Sequence, residues 1–205
     1  MRADLASLSD ESIASLIESI RSSGNNINLG IPYMPETVNL FNRMFNCRRC
    51  GLCCRGEGIS IQSGVVLSSN EVETLAGALG LPRSRFKEDY TYVKDTRRIM
   101  KYPCPFNEET SHVCRIYSKR PQVCQNFPLH APAPAPDGNY LLVVAALCPE
   151  GRRVAVEFLK MQRDVTLSVK EMNPPEQEKM KQASRALWHD SLQKQREGEW
   201  FKRST

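Results

Sequence analysis

The chain has 205 residues, 40% hydrophobic and 25% charged, which supports a packed core without disulfide staples. Its formal net charge is +5, yet the basic residues lack the interleaved aromatics of a nucleic-acid face, so no nucleic-acid partner is expected. The opening segment carries Asp4, Asp10, Glu11 and Glu18, and no window approaches the ~20 apolar residues of a membrane helix, so the expectation is a cytoplasmic protein with no leader and no membrane insertion.

The apolar pattern predicts an α+β fold of short strands and helices. Residues 10–22 read as an amphipathic helix. Ser9 is its N-cap, Asp10 and Glu11 suit the positive helix end, and Leu8 with Ile13 can staple the entry. Ile13, Leu16, Ile17 and Ile20 share one face. Ser22 to Asn26 reads as a linker. A short helix then starts at Pro35, a residue suited to a first turn, and runs into a cysteine-rich stretch. Beyond that stretch Gly56-Glu57-Gly58 is a break, and Ile59, Ile61, Val65, Val66 and Leu67 suggest one or two strands.

Ser68 and Glu71 form the S-x-x-E capping box of a helix containing Val72, Leu75, Ala76 and Leu79, closed by Gly80. Pro82 opens a further helix to about Tyr90, and a hairpin turns around Lys94-Asp95-Thr96. The Ala/Pro alternation between His130 and Gly138 reads as polyproline-like, and residues 139–147 as a buried strand that delivers Cys148. From Gly151 the period is helical, through Val154, Phe158, Met161, Val165 and Met172. Asn173-Pro174-Pro175 breaks that helix and starts another, with Met180, Ala183, Leu187 and Leu192 facing inward. Trp200 and Phe201 sit in a polar tail that either packs back or anchors a partner.

Eight cysteines carry the chemistry: Cys47, Cys50, Cys53, Cys54, Cys104, Cys114, Cys124 and Cys148. In a reducing compartment this count points to metal or iron–sulfur ligation, with disulfides the alternative. Soft thiolates select zinc, copper(I) or iron–sulfur clusters. Cys47-x2-Cys50-x2-Cys53 has the spacing of three ligands in ferredoxin-type loops, and there is no second Cys-x2-Cys knuckle of the kind zinc sites commonly use. Side chains of adjacent residues diverge, so Cys53 and Cys54 suit two centres better than one. The expected grouping is Cys47, Cys50, Cys53 with Cys148, and Cys54 with Cys104, Cys114 and Cys124. Arg48, Arg49, Arg55, Arg115 and Arg120 are placed to favour thiolates. Gly51 suits a tight loop. His112 is an alternative ligand or a surface histidine, as are His130 and His189. Tyr117 and Arg120 either support the ligands or merely pack. No catalytic constellation stands out.

The segments CRRCGLCCR (47–55), CPF (104–106), CRIYSKRPQVCQNFP (114–128) and CPEG (148–151) resemble the YkgJ-type cysteine-cluster family, a CxxCxxCC domain associated with zinc or iron chelation. The likeness covers roughly residues 45–151, with all eight cysteines in family order, and implies metal binding. Some members carry the name flagellin lysine N-methylase, but this chain shows no S-adenosylmethionine motif and that activity is not carried over. Gln125 stands where the family commonly has arginine.

The expected organisation is an N-terminal helix and linker (1–44), a cysteine-cluster domain (45–151) and a C-terminal helical extension (152–205). The expected function is binding of one or two 4Fe–4S clusters for electron transfer or maturation, as an accessory subunit docked on protein partners in a larger complex. The alternative is a structural zinc module that organises an interaction surface; a methyltransferase component ranks last.

Overall fold

The computed structural model describes residues 5–24, 26–55, 65–130, 132–136 and 138–196, and no side chain is described at 191, 192, 195 and 196. The chain folds as α+β, with two three-stranded antiparallel sheets and helices around them. It divides into two compact units: residues 1–46 with 128–205, and residues 47–127. No helix among the described residues is long and apolar enough to cross a membrane.

The first unit holds helix α1 (Asp10–Ser22), strand β1 (Ile27–Pro32), helix α2 (Pro35–Met44), strands β5 (Ala133–Pro134) and β6 (Tyr140–Val144), and helices α7 (Pro149–Glu171) and α8 (Pro174–Arg196). Ser9 caps α1 by accepting from the Ser12 N–H at 3.2 Å. Ile13 and Ile17 are buried, but Leu16 is exposed, so the buried stripe is narrower than the sequence pattern. Pro35 occupies the first turn of α2, which stops at Met44, short of the first cysteine.

Strand β1 was not legible as a strand, because Gly30 and Pro32 interrupt its pattern. It pairs antiparallel with β6, and the register shifts between Asn28 and Pro32. Gly30 absorbs that irregularity at φ +67°, and its N–H donates to Asn28 Oδ1 at 2.9 Å. β6 is the central strand, flanked by β1 and β5. The Ala/Pro segment therefore contributes a short paired strand where free polyproline-like chain is expected: Ala133 lies opposite Leu141 and Pro134 opposite Tyr140. Leu142, Val144, Ile27, Leu29, Phe41, Val154, Ala155 and Phe158 fill the core with Ile13 and Ile17. Burial of such side chains contributes about 1.5–3 kcal/mol each, offset by conformational entropy. Lys160 and Arg163 on α7 both reach Asp10 at the start of α1, at 2.9 and 2.6 Å.

The C-terminal helices depart from the sequence expectation. Along α7, Val154 and Phe158 are buried, whereas Met161 is 38% and Val165 58% exposed. In α8 no described residue is buried; Met180 is 43% and Leu187 59% exposed, and Ala183 is exposed. The inward face assigned to Met180, Ala183 and Leu187 is thus corrected: a helical apolar period fixes which residues share a stripe, not whether anything covers it. Asn173 and Glu176 begin α8 with a reciprocal cap, Asn173 Oδ1 accepting from the Glu176 N–H at 3.0 Å. Leu192, Trp200 and Phe201 lie outside the described side chains.

The second unit holds helix α3 (Leu52–Arg55), strand β2 (Val65–Leu67), helices α4 (Ser69–Ala78) and α5 (Arg83–Tyr90), strands β3 (Thr91–Lys94) and β4 (Arg97–Met100), and helix α6 (Gln122–Asn126). The predicted break at 56–58, and Ile59 and Ile61, lie outside the described residues. Ser68 and Glu71 form the expected capping box, with the Ser68 N–H donating to Glu71 Oε2 at 2.7 Å and the Glu71 N–H to Ser68 Oγ at 3.2 Å. The Leu81 N–H returns to Ala76 O and the Gly80 N–H to Gly77 O, with Gly80 at φ +65°, so α4 ends in a Schellman motif. The hairpin closes Lys94 against Arg97 through Asp95 and Thr96, both at positive φ, as a type I′ turn requires. β4 is central, between β2 and β3. Phe86, Tyr90 and Phe106 stack at 5.3–6.4 Å between ring centroids, and Phe86 and Phe106 belong to the apolar cluster on which Cys104, Cys114 and Cys124 pack.

Candidate metal centre

Seven of the eight cysteines belong to the second unit, and Cys148 to the first. All eight are free thiols; Cys148 is buried and the others half-buried. Cys47 and Cys50 lie in the loop before α3, while Cys53 and Cys54 lie within it. Gly51 makes that loop possible. It sits at φ +72°, and its carbonyl starts α3 by accepting from the Cys54 and Arg55 N–H groups at 2.9 and 3.0 Å. A Cβ here would meet His112 Cβ at 2.9 Å, Asn107 Oδ1 at 3.2 Å and Arg55 Nη1 at 3.3 Å.

Cys104 follows β4 and is tied to the loop by its own N–H, which donates to Cys54 O at 2.9 Å. Phe106, fully buried two residues on, anchors this turn in the core. Cys114 forms an isolated antiparallel bridge with Asn107, and the Arg115 N–H donates to Phe106 O at 2.9 Å. Cys124 lies in α6, whose Gln122 N–H donates to Glu71 Oε1 at 2.8 Å. The carboxylate that caps α4 thus also positions the helix bearing Cys124.

The thiols sense one another. Cys53 and Cys54 sulfurs are 3.9 Å apart. A hydrogen bond from Cys104 favours the Cys54 thiolate, but the Cys53 contact, burial and the charges of Cys53 and Cys114 outweigh it and push Cys54 up to about 12. Cys104 is raised by its bond to Cys54 and by burial. Burial, then the charges of Cys104, Cys54 and Cys114, raise Cys124 to about 12, with Arg120 opposing. Cys114 is raised by burial and by Cys104, against the Ile116 N–H and Arg120 and Arg115. Cys53, Cys54, Cys104, Cys114 and Cys124 are therefore coupled, drawn from three separate segments.

A set of half-buried thiols that resists ionisation through burial and mutual repulsion fits a cation, which would supply the missing charge. Among the described residues no three His, Cys, Asp or Glu side chains form a finished metal-holding group. Cys148 has a different setting: it caps α7, and its sulfur accepts from the Gly151 N–H at 3.3 Å.

Two residues escaped sequence reasoning. Tyr102 is raised by burial and then by the charges of Cys124, Cys104, Cys54 and Cys53, and it packs against the same apolar cluster as Cys104, Cys114 and Cys124. Asn107 holds a buried Oδ1 that has no hydrogen-bond partner among the described residues, beside Gly51. Neither carries a local signal beyond its closeness to Cys104. His112 is half-buried at φ +56°, with Arg55 Nη1 3.1 Å from its Nδ1. His130 is half-buried in the first unit, and His189 is exposed on α8.

Soft donors gathered on an apolar cluster, with arginines beside them, define a metal-binding cysteine-cluster protein. The model of the CxxCxxCC family, described as a "putative zinc- or iron-chelating domain", matches residues 46–149, and the chain belongs to that family. No curated protein and no solved structure matches the chain.

Proposed function

We propose that the protein is an iron–sulfur protein, with its eight cysteines as ligands, that serves electron transfer or maturation as an accessory subunit of a larger complex. The observation that carries this reading is the coupling of Cys53, Cys54, Cys104, Cys114 and Cys124, with two further thiols on the adjoining loop at Cys47 and Cys50. Seven thiols in one compact unit exceed what a single tetrahedral ion takes. Cys148, capping α7, completes the set of eight.

When bound, a cluster would supply one-electron chemistry. The chain's residues would set its potential through burial, hydrogen bonds to sulfur and the nearby arginines. The exposed apolar residues of α7 and α8, Met161, Val165, Met180 and Leu187 among them, support the subunit role.

Anaerobic isolation with iron, zinc and acid-labile sulfide analysis, together with electron paramagnetic resonance, tests the proposal. Iron and sulfide in near-equal amounts are expected; stoichiometric zinc without sulfide would overturn it. A structural zinc module is the second reading, and four thiolates from three segments also suit a tetrahedral zinc ion. Cys54→Ser is expected to remove about half of the metal, since only one of two ligand sets is broken. Loss of all metal would count against two centres.

A further inference from the structure

We propose that Tyr117 is a positioning residue of the thiol centre, whose ring fastens the Cys47–Cys54 loop to the Cys114–Cys124 segment. Two guanidinium groups address this one ring: Arg120 Cζ lies 3.8 Å and Arg49 Cζ 4.8 Å from its centroid. Arg49 stands between Cys47 and Cys50, at φ +52°. Arg120 Nε donates to Tyr117 O at 3.0 Å, and its Nη1 reaches Cys124 O at 3.4 Å. Gln125 Nε2 donates to Arg120 O at 2.6 Å and holds that end in place. The Tyr117 N–H donates to Cys114 O at 3.2 Å. The ring therefore meets Arg49, on the loop that carries Cys47 and Cys50, and Arg120, which reaches the backbone at Cys124, while the Tyr117 backbone is bonded to Cys114.

Cation–ring attraction is modest where the cation is exposed, as Arg49 is. Two cations on one ring also repel each other. The arrangement is favoured where negative charge lies close, and the thiolates of a loaded centre supply that charge. Simple packing would need neither guanidinium. The ring face makes these contacts, so phenylalanine should replace tyrosine and leucine should not.

The inference rests on the metal-binding reading, and the test separates the two. Anaerobic apo-protein is titrated with cobalt(II), read by thiolate-to-cobalt charge transfer and the visible d–d bands, and with zinc in competition with a chromophoric chelator. Wild type and Tyr117→Phe are expected to match in spectrum and affinity. Tyr117→Leu is expected to bind about tenfold more weakly, the range found when groups supporting metal ligands are lost, with altered d–d bands. Arg49→Gln, at an exposed position, should shift affinity in the same direction by less, with the apo-protein's thermal midpoint unchanged. It keeps the test decisive if Tyr117→Leu does not fold. Wild-type affinity and spectrum in Tyr117→Leu, or in Arg49→Gln when the leucine variant is unfolded, would overturn the inference. No thiolate–cobalt transition in wild type would overturn the metal reading, and this inference with it.

Discussion

Gly51→Ala should damage the cysteine loop more than its single methyl group suggests. The residue sits at φ +72°, where an L side chain costs about 1–2 kcal/mol. The new Cβ would then stand 2.9 Å from His112 Cβ, with Asn107 Oδ1 and Arg55 Nη1 at 3.2 and 3.3 Å. His112 Cβ is bonded directly to the backbone, at a residue itself held at φ +56°, so a rotamer change cannot relieve the contact. Overpacking of this kind costs roughly 1–3 kcal/mol. The combined loss is roughly 2–5 kcal/mol, which corresponds to roughly 4–20 °C in melting temperature for a chain of this size. Thermal unfolding by circular dichroism on apo-protein measures the first effect. Metal content per chain measures the second, because the shifted residue lies between Cys50 and Cys53. A Gly51→Ala protein that melts within roughly 2 °C of wild type and loads the same metal would refute the reasoning.

Phe106→Ala should cost about 3–5 kcal/mol in denaturant unfolding, since Phe106 is fully buried beside the Phe86 and Tyr90 rings, two residues from Cys104. Burial raises the Glu71 carboxyl, but hydrogen bonds from the Ser68 and Gln122 N–H groups outweigh it and hold the group below its ordinary 4.5. A carboxylate depressed on folding adds stability above its unfolded value and loses it as pH falls through the folded one. Stability of wild type should accordingly fall from about pH 4.5 downward, and Glu71→Gln should flatten that acid limb; identical limbs in the two proteins would contradict the assignment. Leu187→Ser should leave stability within about 0.5 kcal/mol, because Leu187 is 59% exposed. A loss of several kcal/mol on equilibrium unfolding would restore the inward orientation expected from its spacing.

Features that satisfy themselves within a few residues were legible in the sequence. Ser9 and Ser68 announce helix starts because their hydroxyls meet N–H groups three positions on. Gly80 marks a helix end, and Asp95-Thr96 a hairpin, for equally local reasons. The cysteine spacing identified the donor chemistry and the family, since thiolate softness belongs to the residue type itself. Strand β1 was hidden, because its pairing with β6 is formed more than a hundred residues away and Gly30 interrupts its alternation. The packing of Tyr102 on the apolar cluster that holds Cys104, Cys114 and Cys124 was equally hidden.

Sequence by itself thus determined the helix caps, the hairpin turn, the soft-donor chemistry and the family. Only the tertiary structure decided which thiols are neighbours, that Cys148 caps α7 in the other unit, and that Met180 and Leu187 face outward. The physical reason is range. A cap or turn is an interaction among adjacent residues, whereas burial and thiol coupling depend on segments brought together by the packing of other residues, such as the Phe86–Tyr90–Phe106 stack.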